Sequence, residues 1–423
     1  MKIMVIGGGG REHAIIRKLK ENPLIETIYA LPGNGGIARD AECVAVSATD
    51  IPAQVDFAVK HHIDFAVIGQ DDPLVLGAVD ALEAAGIPCF GPDKKAAIIE
   101  GSKAFSKDLM KKYGIPTAAY ETFTELEAAL AYVKKAPLPL VVKADGLALG
   151  KGVVIAFSRE EAEAAVRDAM ESKQFGKSGE TLVIEEFLEG PEISLLTLTD
   201  GESIAPLSSS MDHKAAWEGD SGPNTGGMGT IAPNPFYTEE VAERCLNEIL
   251  LPTIRAMKEE GRPFKGCLYF GLMLTREGPK VIEYNCRFGD PETQVVLPML
   301  KSDLLSLMLA VRAGKLKEKL PLQFYEGAAA CVIMASGGYP GAYEKGHPIN
   351  IPEALMNQVY VAGAAEKDGR LVTSGGRVLG ISGRGKDIRE ALKEAYAAVE
   401  QIHFEKAFYR KDIGHRALKE PGQ

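Results

Sequence analysis

The first hundred residues alternate short apolar runs with segments of helical periodicity. Residues 2–6 and 64–68 have the composition of buried strands, and residues 12–20 and 73–85 carry apolar side chains at helical spacing. Strands that alternate with helices are typical of a parallel sheet with helices on its faces. The pattern therefore predicts an amino-terminal parallel α/β domain, Rossmann-like in layout, over residues 1–100.

A different pattern follows, in which strands and helices no longer alternate one by one. A helical segment over residues 93–113 is broken at Gly101-Ser102 and ends before Pro116. The next predicted elements are a helix over 125–135, two strands joined by a glycine loop after Lys143, a helix over 159–171 and a strand over 181–184. This mixed order predicts a small α+β lobe over residues 117–190, inserted into a larger domain.

The remaining strand patterns predict two further units. The first is a central domain formed by residues 101–116 and 191–325, with a mostly antiparallel sheet from strands at 193–198, 267–274 and 279–284. The second is a small carboxyl-terminal α+β domain over residues 326–423, with strands at 328–334, 358–363 and 378–382 and a helix at 387–402. The predicted fold class is therefore multidomain, α/β and α+β.

Composition and charge narrow the range of partners. Hydrophobic residues make up 46% and charged residues 25% of the 423 residues, as in ordinary globular proteins of several domains. The net charge of −10 provides no general attraction for nucleic acid or an anionic membrane, and no apolar run approaches the ~20 residues of a membrane span. Six cysteines lie far apart, without disulfide or metal spacing, which favours a reducing compartment. We therefore expect a cytoplasmic protein that binds small molecules, with neither nucleic acid nor a membrane as partner.

Three polar side chains alternate with apolar ones near the end of a predicted strand. Glu283, Asn285 and Arg287 occupy every second position, so in an extended strand all three point to one face. Carboxylate and amide oxygens suit a hard divalent cation, and a guanidinium suits a phosphoryl group. The row predicts magnesium-assisted phosphate chemistry with a nucleoside triphosphate. The alternative is an ordinary half-buried strand, which also alternates polar and apolar residues.

A glycine-rich loop about 140 residues upstream strengthens the phosphate interpretation. The segment Gly146 to Gly152 joins two apolar runs and carries Lys151, while Lys143 lies on the strand that leads into it. The loop is not a P-loop, because it is one residue too short and a glycine replaces the metal-binding Ser or Thr. We expect Lys143 to meet an α-phosphate and Lys151 to cover the β and γ positions. The alternative is a pair of solvated lysines beside a hairpin.

The acidic bend from Val183 to Glu192 is a candidate nucleoside site. A buried strand ends there in adjacent polar and apolar groups. Backbone groups of Phe187 and Leu188 could pair with an adenine edge, and Glu192 could accept from ribose hydroxyls. Acidic turns are common, so the bend by itself is also compatible with a surface turn.

Two further segments are candidates for substrate contacts. Four glycines at 7–10 follow a strand and open a helix, where backbone N–H groups grip an anion. The dinucleotide fingerprint is broken by Glu12, so a phosphate monoester fits better than NAD. The long polar stretch over 208–229 has the length of a functional loop. The alternative to a functional role for His213 within it is a satisfied surface imidazole.

The motifs of this chain resemble, in one order and over nearly its whole length, those of one enzyme family. They are Gly7 to Ala14, Pro32-Gly-Asn-Gly-Gly36, Gly101-Ser-Lys103-Ala-Phe105, Lys143 to Val153, Asp212-His-Lys214, Gly222 to Gly229, Glu283 to Glu292, Ser374-Gly-Gly-Arg377 and Phe408-Tyr-Arg-Lys-Asp412. The family is that of the ATP-grasp ligases, specifically the glycinamide ribonucleotide synthetases of purine biosynthesis. The resemblance implies an ATP-grasp fold with the amino- and carboxyl-terminal domains described above.

The resemblance also implies a reaction and a set of roles. ATP would phosphorylate the glycine carboxylate, and the amine of 5-phosphoribosylamine would attack the acyl phosphate. ATP would be held by Lys103, Lys143, Lys151, Glu185, Glu186, Phe187, Leu188 and Glu192, and Mg²⁺ or Mn²⁺ by Glu283 and Asn285. Substrates would contact Gly9, Gly10, Asn34, Asp212, Lys214, Asn224, Thr225, Gly226, Gly227 and Arg287, and catalysis would fall to Arg287, Lys151 and Asp212. A monomer or small homo-oligomer is expected.

Other functions remain compatible with the motifs. A second ATP-grasp carboxylate–amine ligase, or a carboxylase that phosphorylates bicarbonate, would use the same nucleotide and metal groups. A nucleotide-sensing module without turnover would need the nucleotide site alone. The presence of Glu283, Asn285 and Arg287 together favours an enzyme, because a pure binder has little use for both metal and transition-state groups.

Overall fold

The computed structural model describes residues 1–147, 152–172 and 176–418. Its amino-terminal part contains β1 (Lys2–Gly7), α1 (Gly10–Leu19), β2 (Thr27–Pro32), β3 (Glu42–Cys43), α2 (Ile51–His61), β4 (Phe65–Ile68), α3 (Asp71–Leu76), α4 (Ala78–Ala84), β5 (Cys89–Phe90) and α5 (Lys94–Gly101). The strands form one parallel sheet in the order β3-β2-β1-β4-β5. Strand β4 is buried throughout, as expected for a parallel sheet with helices on both faces. The predicted helix over 73–85 is divided at Gly77, which adopts a φ of +98°.

A small lobe follows the next helix, as the sequence predicts. Its elements are α6 (Lys103–Tyr113), which leads into it, β6 (Tyr120–Phe123), α7 (Leu126–Val133), β7 (Leu140–Ala144), β8 (Val153–Ala156), α8 (Arg159–Met170) and β9 (Leu182–Glu186). The four strands form an antiparallel sheet in the order β6-β9-β7-β8. Helices α7 and α8 cover it, with Leu130, Val166 and Ile184 in a hydrophobic core separate from those of the other sheets. The lobe therefore has its own packing.

The central part contains the sheet that carries the predicted metal row. Its elements are β10 (Glu192–Thr199), β11 (Ile204–Pro206), β12 (Met211–Asp212), β13 (Ala215–Trp217), β14 (Ser221–Asn224), β15 (Gly229–Ala232), α9 (Glu239–Arg244), a π-helical turn (Cys245–Leu250), α10 (Leu251–Glu259), β16 (Gly266–Thr275), β17 (Gly278–Asn285), α11 (Thr293–Met299) and α12 (Leu304–Ala313). Four strands form an antiparallel sheet in the order β11-β10-β16-β17. Leu195 and Phe270 of this sheet share one core with Met4 and Ile6 of β1, so the central and amino-terminal sheets pack together.

The carboxyl-terminal part contains β18 (Ala328–Ser336), β19 (Val359–Val361), β20 (Ala364–Lys367), β21 (Arg370–Thr373), β22 (Arg377–Gly385), α13 (Ile388–Val399), β23 (Ala407–Phe408) and α14 (His415–Leu418). Its sheet runs β12-β15-β18-β22-β19, with β23 on β18. Residues 211–232, which the sequence pattern places in the central domain, thus supply two strands to this sheet. The predicted polar loop over 208–229 is in the structure a set of short strands, with the separate hairpin β13–β14 between β12 and β15. Among the helices of the described residues, none is long and apolar enough to cross a membrane.

Asn34 joins the amino-terminal domain to the carboxyl-terminal sheet. Its Nδ2 donates to the carbonyl oxygens of Gly8 (3.0 Å) and Val361 (2.8 Å). Its Oδ1 accepts from the backbone N–H groups of Gly36 and Ile37, both at 2.8 Å. The side chain therefore has protein partners for its donor and acceptor groups, and it ties two domains together. The contact of Asn34 with the sugar phosphate of a substrate stays a prediction.

We expect Asn34→Ala to lower the free energy of unfolding by about 2–3 kcal/mol, because it leaves two carbonyl groups and two N–H groups without their partner. Urea unfolding measures the change. Asn357→Ala, at an exposed position, is the matched control and should stay within about 0.5 kcal/mol of the unchanged protein. A normal stability of Asn34→Ala combined with weaker substrate binding would contradict the structural role.

Candidate active site

A cavity of about 500 Å³ lies where the small lobe, the central sheet and the two terminal domains meet. Most of the residues predicted from the sequence line it: Gly9, Lys103, Lys143, Glu185, Glu186, Phe187, Leu188, Glu192, Asp212, Lys214, Asn224, Thr225, Gly226, Glu283, Asn285 and Arg287. Segments more than 250 residues apart in the chain, such as those of Gly9 and Arg287, thus reach one space. The predicted nucleotide, metal and acceptor groups belong to one site.

Four predicted residues are exceptions. Asn34 has the structural role described above, and Lys151 lies outside the described residues. Gly10 lies behind the lining, where a Cβ atom would come within 2.6 Å of Gln294 Nε2. Gly227 has a φ of +118°, and a Cβ atom there would lie 2.6 Å from Asp212 Oδ1. The two glycines therefore shape the wall by allowing close approach rather than by facing the cavity.

The predicted metal row is only partly a strand. Glu283 and Asn285 lie on β17, which ends at Asn285, so Arg287 follows the strand rather than continuing it. Lys214 Nζ lies 3.0 Å from Glu283 Oε1 and holds the pKa of this carboxyl at about 2. Glu283 is therefore a carboxylate at neutral pH, as a cation ligand has to be.

Glu100, which the sequence analysis missed, holds the end of this row. It is the penultimate residue of α5 and is buried. Its Oε1 accepts from Asn285 Nδ2 at 2.9 Å and lies 3.1 Å from Arg287 Nη2, and its Oε2 accepts from the N–H of Cys286 at 2.7 Å. Burial opposes the charge of Arg287, but Glu100 and Asp71 keep its pKa above the ordinary value. The only sequence signal was its position beside the break at Gly101-Ser102.

The oxygen atoms of Glu283 and Asn285 suit a cation that is bound partly by the protein and partly by a phosphate. No group of three or more His, Cys, Asp or Glu side chains arranged for a metal occurs within the described residues. Glu283 offers a carboxylate, and Asn285 donates through Nδ2, which leaves its carbonyl oxygen available. Mg²⁺ commonly takes one or two protein oxygens and completes its shell with water and nucleotide phosphates. The residues present therefore fit Mg²⁺ or Mn²⁺ bound together with a nucleotide.

Three ammonium groups line the side of the cavity where the sequence predicts phosphate contacts. Lys103 Nζ donates to Gly146 O at 2.8 Å, and burial lowers its pKa while Glu283 opposes the shift. Lys143 Nζ donates to Ile282 O at 3.1 Å. Lys107 stands one helical turn after Lys103 on α6 and was missed, although the spacing of four places both on one helix face. Burial lowers the pKa of Lys107 to about 8.

Glu185 lies between two of these lysines. Its Oε1 is 2.9 Å from Lys143 Nζ, and its Oε2 is 2.9 Å from Lys107 Nζ. Only 4% of Glu185 is exposed, and a carboxylate at this depth needs such partners. The predicted contact of Glu185 with a nucleoside therefore competes with a role in positioning the lysines.

The side of the cavity that carries the predicted nucleoside groups is mainly apolar. Val141, Val153 and Ile155 come from the small lobe, Met273 and Ile282 from the central sheet, and Phe187 and Leu188 from the bend between them. A purine ring buries its faces against such side chains and uses the backbone at its edge. Glu186 also lines the cavity, and its Oε1 accepts from the N–H of Ala119 at 3.0 Å.

The opposite end of the cavity holds carboxyl groups and Arg377. Burial, and the nearby Glu292, raise the pKa of Asp212 well above its ordinary value, and burial also raises that of Glu292. Arg377 Nη1 donates to the carbonyl oxygens of Gly226 and Asp290, both at 2.7 Å. Arg377 is a third missed residue, although its motif was noted. A carboxyl group with a raised pKa suits proton transfer near neutral pH.

His213 is buried, which excludes the alternative of a surface imidazole. Its Nδ1 lies 3.0 Å from Gly229 O, and its Nε2 accepts from the N–H of Gly414 at 2.9 Å. Burial lowers its pKa to about 4. The ring is therefore neutral at pH 7 and links the start of the polar segment to the carboxyl-terminal end of the chain.

The fold and the cavity together define an ATP-grasp protein: a small α+β lobe and an antiparallel central sheet enclose lysines, an apolar base pocket and a carboxylate–amide pair. Family models for phosphoribosylglycinamide synthetase match the chain in three parts, the N domain at residues 1–100, the ATP-grasp (A) domain at 101–293 and the C domain at 329–416. The chain belongs to the phosphoribosylglycinamide synthetase family.

Individual relatives agree with this assignment. The chain is 50% identical over 420 residues to the phosphoribosylamine–glycine ligase of Rhizobium meliloti and 49% identical over 426 residues to that of Escherichia coli O6:H1, with 99% of each chain covered. The crystal structure of phosphoribosylamine–glycine ligase from Thermotoga maritima has a TM-score of 0.86 at 36% identity, over 98% of this chain and all of that one. Biotin carboxylase from Campylobacter jejuni shares the fold, with a TM-score of 0.75 at 15% identity over 96% of this chain and 92% of that one.

We expect the free energy of unfolding to fall as the pH is lowered from about 6.5 to about 4, in part because the unfolded chain binds a proton at His213 that the folded chain does not bind. His213→Gln should therefore reduce the slope in this range, by at most ~1.4 kcal/mol per pH unit. Urea unfolding at a series of pH values measures the slope. His403→Gln, at an exposed position, should leave it unchanged, and an unaltered slope in His213→Gln would refute the assignment.

Proposed function

We propose that the cavity uses ATP to activate the carboxylate of glycine and joins it to the amine of 5-phosphoribosylamine, with glycinamide ribonucleotide, ADP and phosphate as products. The observation that carries the proposal is the convergence on one cavity of a nucleotide pocket, a carboxylate–amide pair and an acceptor end with buried carboxyl groups. Membership of the phosphoribosylglycinamide synthetase family supports the same reaction. The chain is an ATP-dependent ligase.

In the first step, the negatively charged carboxylate of glycine has to approach the negatively charged phosphates of ATP. A carboxylate oxygen of glycine attacks the γ-phosphorus, the bond to the ADP oxygen breaks, and glycyl phosphate forms. Lys103, Lys143 and Lys151 would bind the phosphates, with Lys151 proposed from its place in the glycine loop. Arg287 would stabilise charge on the transferring group, so positioning and electrostatics supply most of the catalysis. A divalent cation, Mg²⁺ or Mn²⁺, held by Glu283 and Asn285 would neutralise phosphate charge.

The second step requires an uncharged amine at the acyl carbon. The amine nitrogen attacks the carbonyl carbon, the bond to the phosphate oxygen breaks, and the nitrogen loses a proton. Asp212 is the proposed acceptor of this proton, supported by its raised pKa and its place in the wall. Lys214, Asn224 and the adjoining glycines would orient the acceptor, and the glycines near Gly9 would receive its phosphate, as helix N-termini do.

The remaining parts of the proposal concern partners and location. All partners are small molecules: ATP, glycine and 5-phosphoribosylamine. A cytoplasmic location is supported by the six cysteines, all of which are free thiols. A monomer or small homo-oligomer is the proposed oligomeric state.

We expect ADP release to require glycine and 5-phosphoribosylamine together, because the acyl phosphate is consumed only by the amine. Coupled ADP detection, with phosphoribosylamine generated in place, measures this across a panel of amino acids and bicarbonate. Omission of either substrate is the control. Release driven by bicarbonate without glycine would select the carboxylase instead, and preference for another amino acid would select a different carboxylate–amine ligase.

We expect Glu283→Gln to lower kcat at least ~100-fold while the protein stays folded, because a carboxylate ligand and the partner of Lys214 are both lost. Thermal unfolding checks the fold, and the Mg²⁺ concentration for half-maximal rate should rise in any residual activity. The matched control is Glu277→Gln, an exposed glutamate in the turn before β17, which should keep full activity. Undiminished turnover of Glu283→Gln would remove the metal assignment.

A further inference from the structure

The hairpin β13–β14 connects two pairs of residues of the proposed acceptor pocket. Lys214 directly precedes its first strand, Asp212 lies two residues earlier at the end of β12, and Asn224 and Thr225 stand at the end of the hairpin. All four line the cavity. The place of the hairpin therefore decides where Lys214, Asn224 and Thr225 lie, whereas Asp212 is fixed by the pairing of β12.

The hairpin has little hydrophobic support of its own. Residues 221–224 are exposed, and Trp217 is 56% exposed with its ring against Gly222, where a Cβ atom would come within 2.4 Å of the ring. None of its residues belongs to the hydrophobic cores formed by the described residues. Isolated two-stranded hairpins are marginally stable in water. Another part of the chain has to hold it.

Arg410 is the centre of that support. It follows β23 in the carboxyl-terminal domain and is only 1% exposed. Its Nη1 donates to Ala215 O at 3.0 Å, next to Lys214, and its Nη2 donates to Asp220 Oδ1 at 2.9 Å in the turn of the hairpin. Its Nε and Nη2 also donate to Asp412, each at 2.9 Å. The guanidinium of Arg410 thus donates hydrogen bonds to both the first strand and the turn of the hairpin.

The neighbours of Arg410 extend the same contact. Asp412 Oδ2 accepts from the N–H of Gly219 at 2.8 Å, and the N–H of Lys411 donates to Glu218 at 3.3 Å. Arg416 Nη2 lies 2.7 Å and His415 Nε2 3.1 Å from Asp220 Oδ2. We call residues 410–416 the anchor segment. Hydrogen bonds and ion pairs from this segment meet the turn of the hairpin along its whole length.

We propose that Arg410 is a positioning residue for the acceptor substrate, acting through Ala215 and Asp220 to hold the hairpin and with it Lys214. This rests on the proposed function, which assigns Lys214 and its neighbours to the acceptor pocket. Strands β12 and β15 are secured independently by their pairing in the carboxyl-terminal sheet. Loss of the Arg410 contacts should therefore loosen the hairpin without unfolding the domain.

The test compares Arg410→Lys with the unchanged protein. Lysine keeps the charge but cannot bond several acceptors in fixed directions. We expect KM for phosphoribosylamine to rise about tenfold, with kcat reduced less than about threefold and the Kd of a non-hydrolysable ATP analogue within about twofold. Lys386→Gln, which removes an exposed ion pair in the same domain, is the control and should change none of these values.

The second readout does not depend on turnover. Trp217 is the only tryptophan of the chain, so its fluorescence reports on the hairpin alone. In Arg410→Lys we expect acrylamide quenching of Trp217 to increase about 1.5-fold, because the ring loses its fixed place on Gly222. If this variant fails to fold, Asp220→Asn, at a position 21% exposed, replaces it with the same expectations.

Three outcomes would overturn the inference. The first is an unchanged KM for phosphoribosylamine, and the second is unchanged quenching of Trp217. The third is an equal loss of ATP-analogue affinity together with lower thermal stability, which would indicate a general structural role. Absence of ligase activity in the unchanged protein would instead refute the proposed function, while the Trp217 measurement would still show whether Arg410 holds the hairpin.

Discussion

The cavity depends on the pairing of buried and half-buried charges. Glu283 is held by Lys214, Glu185 by Lys143 and Lys107, and Arg287 by Glu100. A buried ion without a partner costs several kcal/mol, so the buried Glu185 and Glu100 are stable only where their partners are brought to them. The pairs Glu185–Lys107 and Arg287–Glu100 each join two domains. The site therefore forms only when the domains assemble.

The carboxyl-terminal domain is part of this assembly rather than a separate attachment. Its sheet contains β12 and β15, which come from the middle of the chain, and Arg377 reaches the cavity wall from β22. The carbonyl oxygen of Val361 accepts a hydrogen bond from Asn34 Nδ2, and the N–H of Val361 donates to His13 Nδ1 at 2.9 Å. These bonds connect the amino-terminal domain to the same sheet. The shared strands and contacts explain why three segments distant in sequence, those of Asp212, Glu292 and Arg377, meet at one end of the cavity.

Local patterns predicted much of this arrangement and missed what depends on distant partners. The strands that carry Lys143 and Glu283 follow from apolar runs, because hydrophobic periodicity is a local property. The partners of Asn34 and Glu185 lie up to 327 residues away in the chain, so a motif that suggests a ligand contact cannot show that a backbone carbonyl or a lysine already occupies the side chain. Glu100 and Arg377 were missed for the same reason. The only local features beside them are a helix break after Glu100 and a pair of glycines before Arg377.

The sequence by itself determined the α/β and α+β character of the four parts, the family, and the residue types that phosphate and metal chemistry require. These features could be predicted because strand and helix periodicity, glycine loops and alternating polar rows are properties of residues close together in the sequence. Tertiary structure alone decided which lysine each carboxylate pairs with, and it decided that residues 410–416 hold the hairpin β13–β14. These outcomes depend on burial and on distances between remote segments, which no local pattern contains.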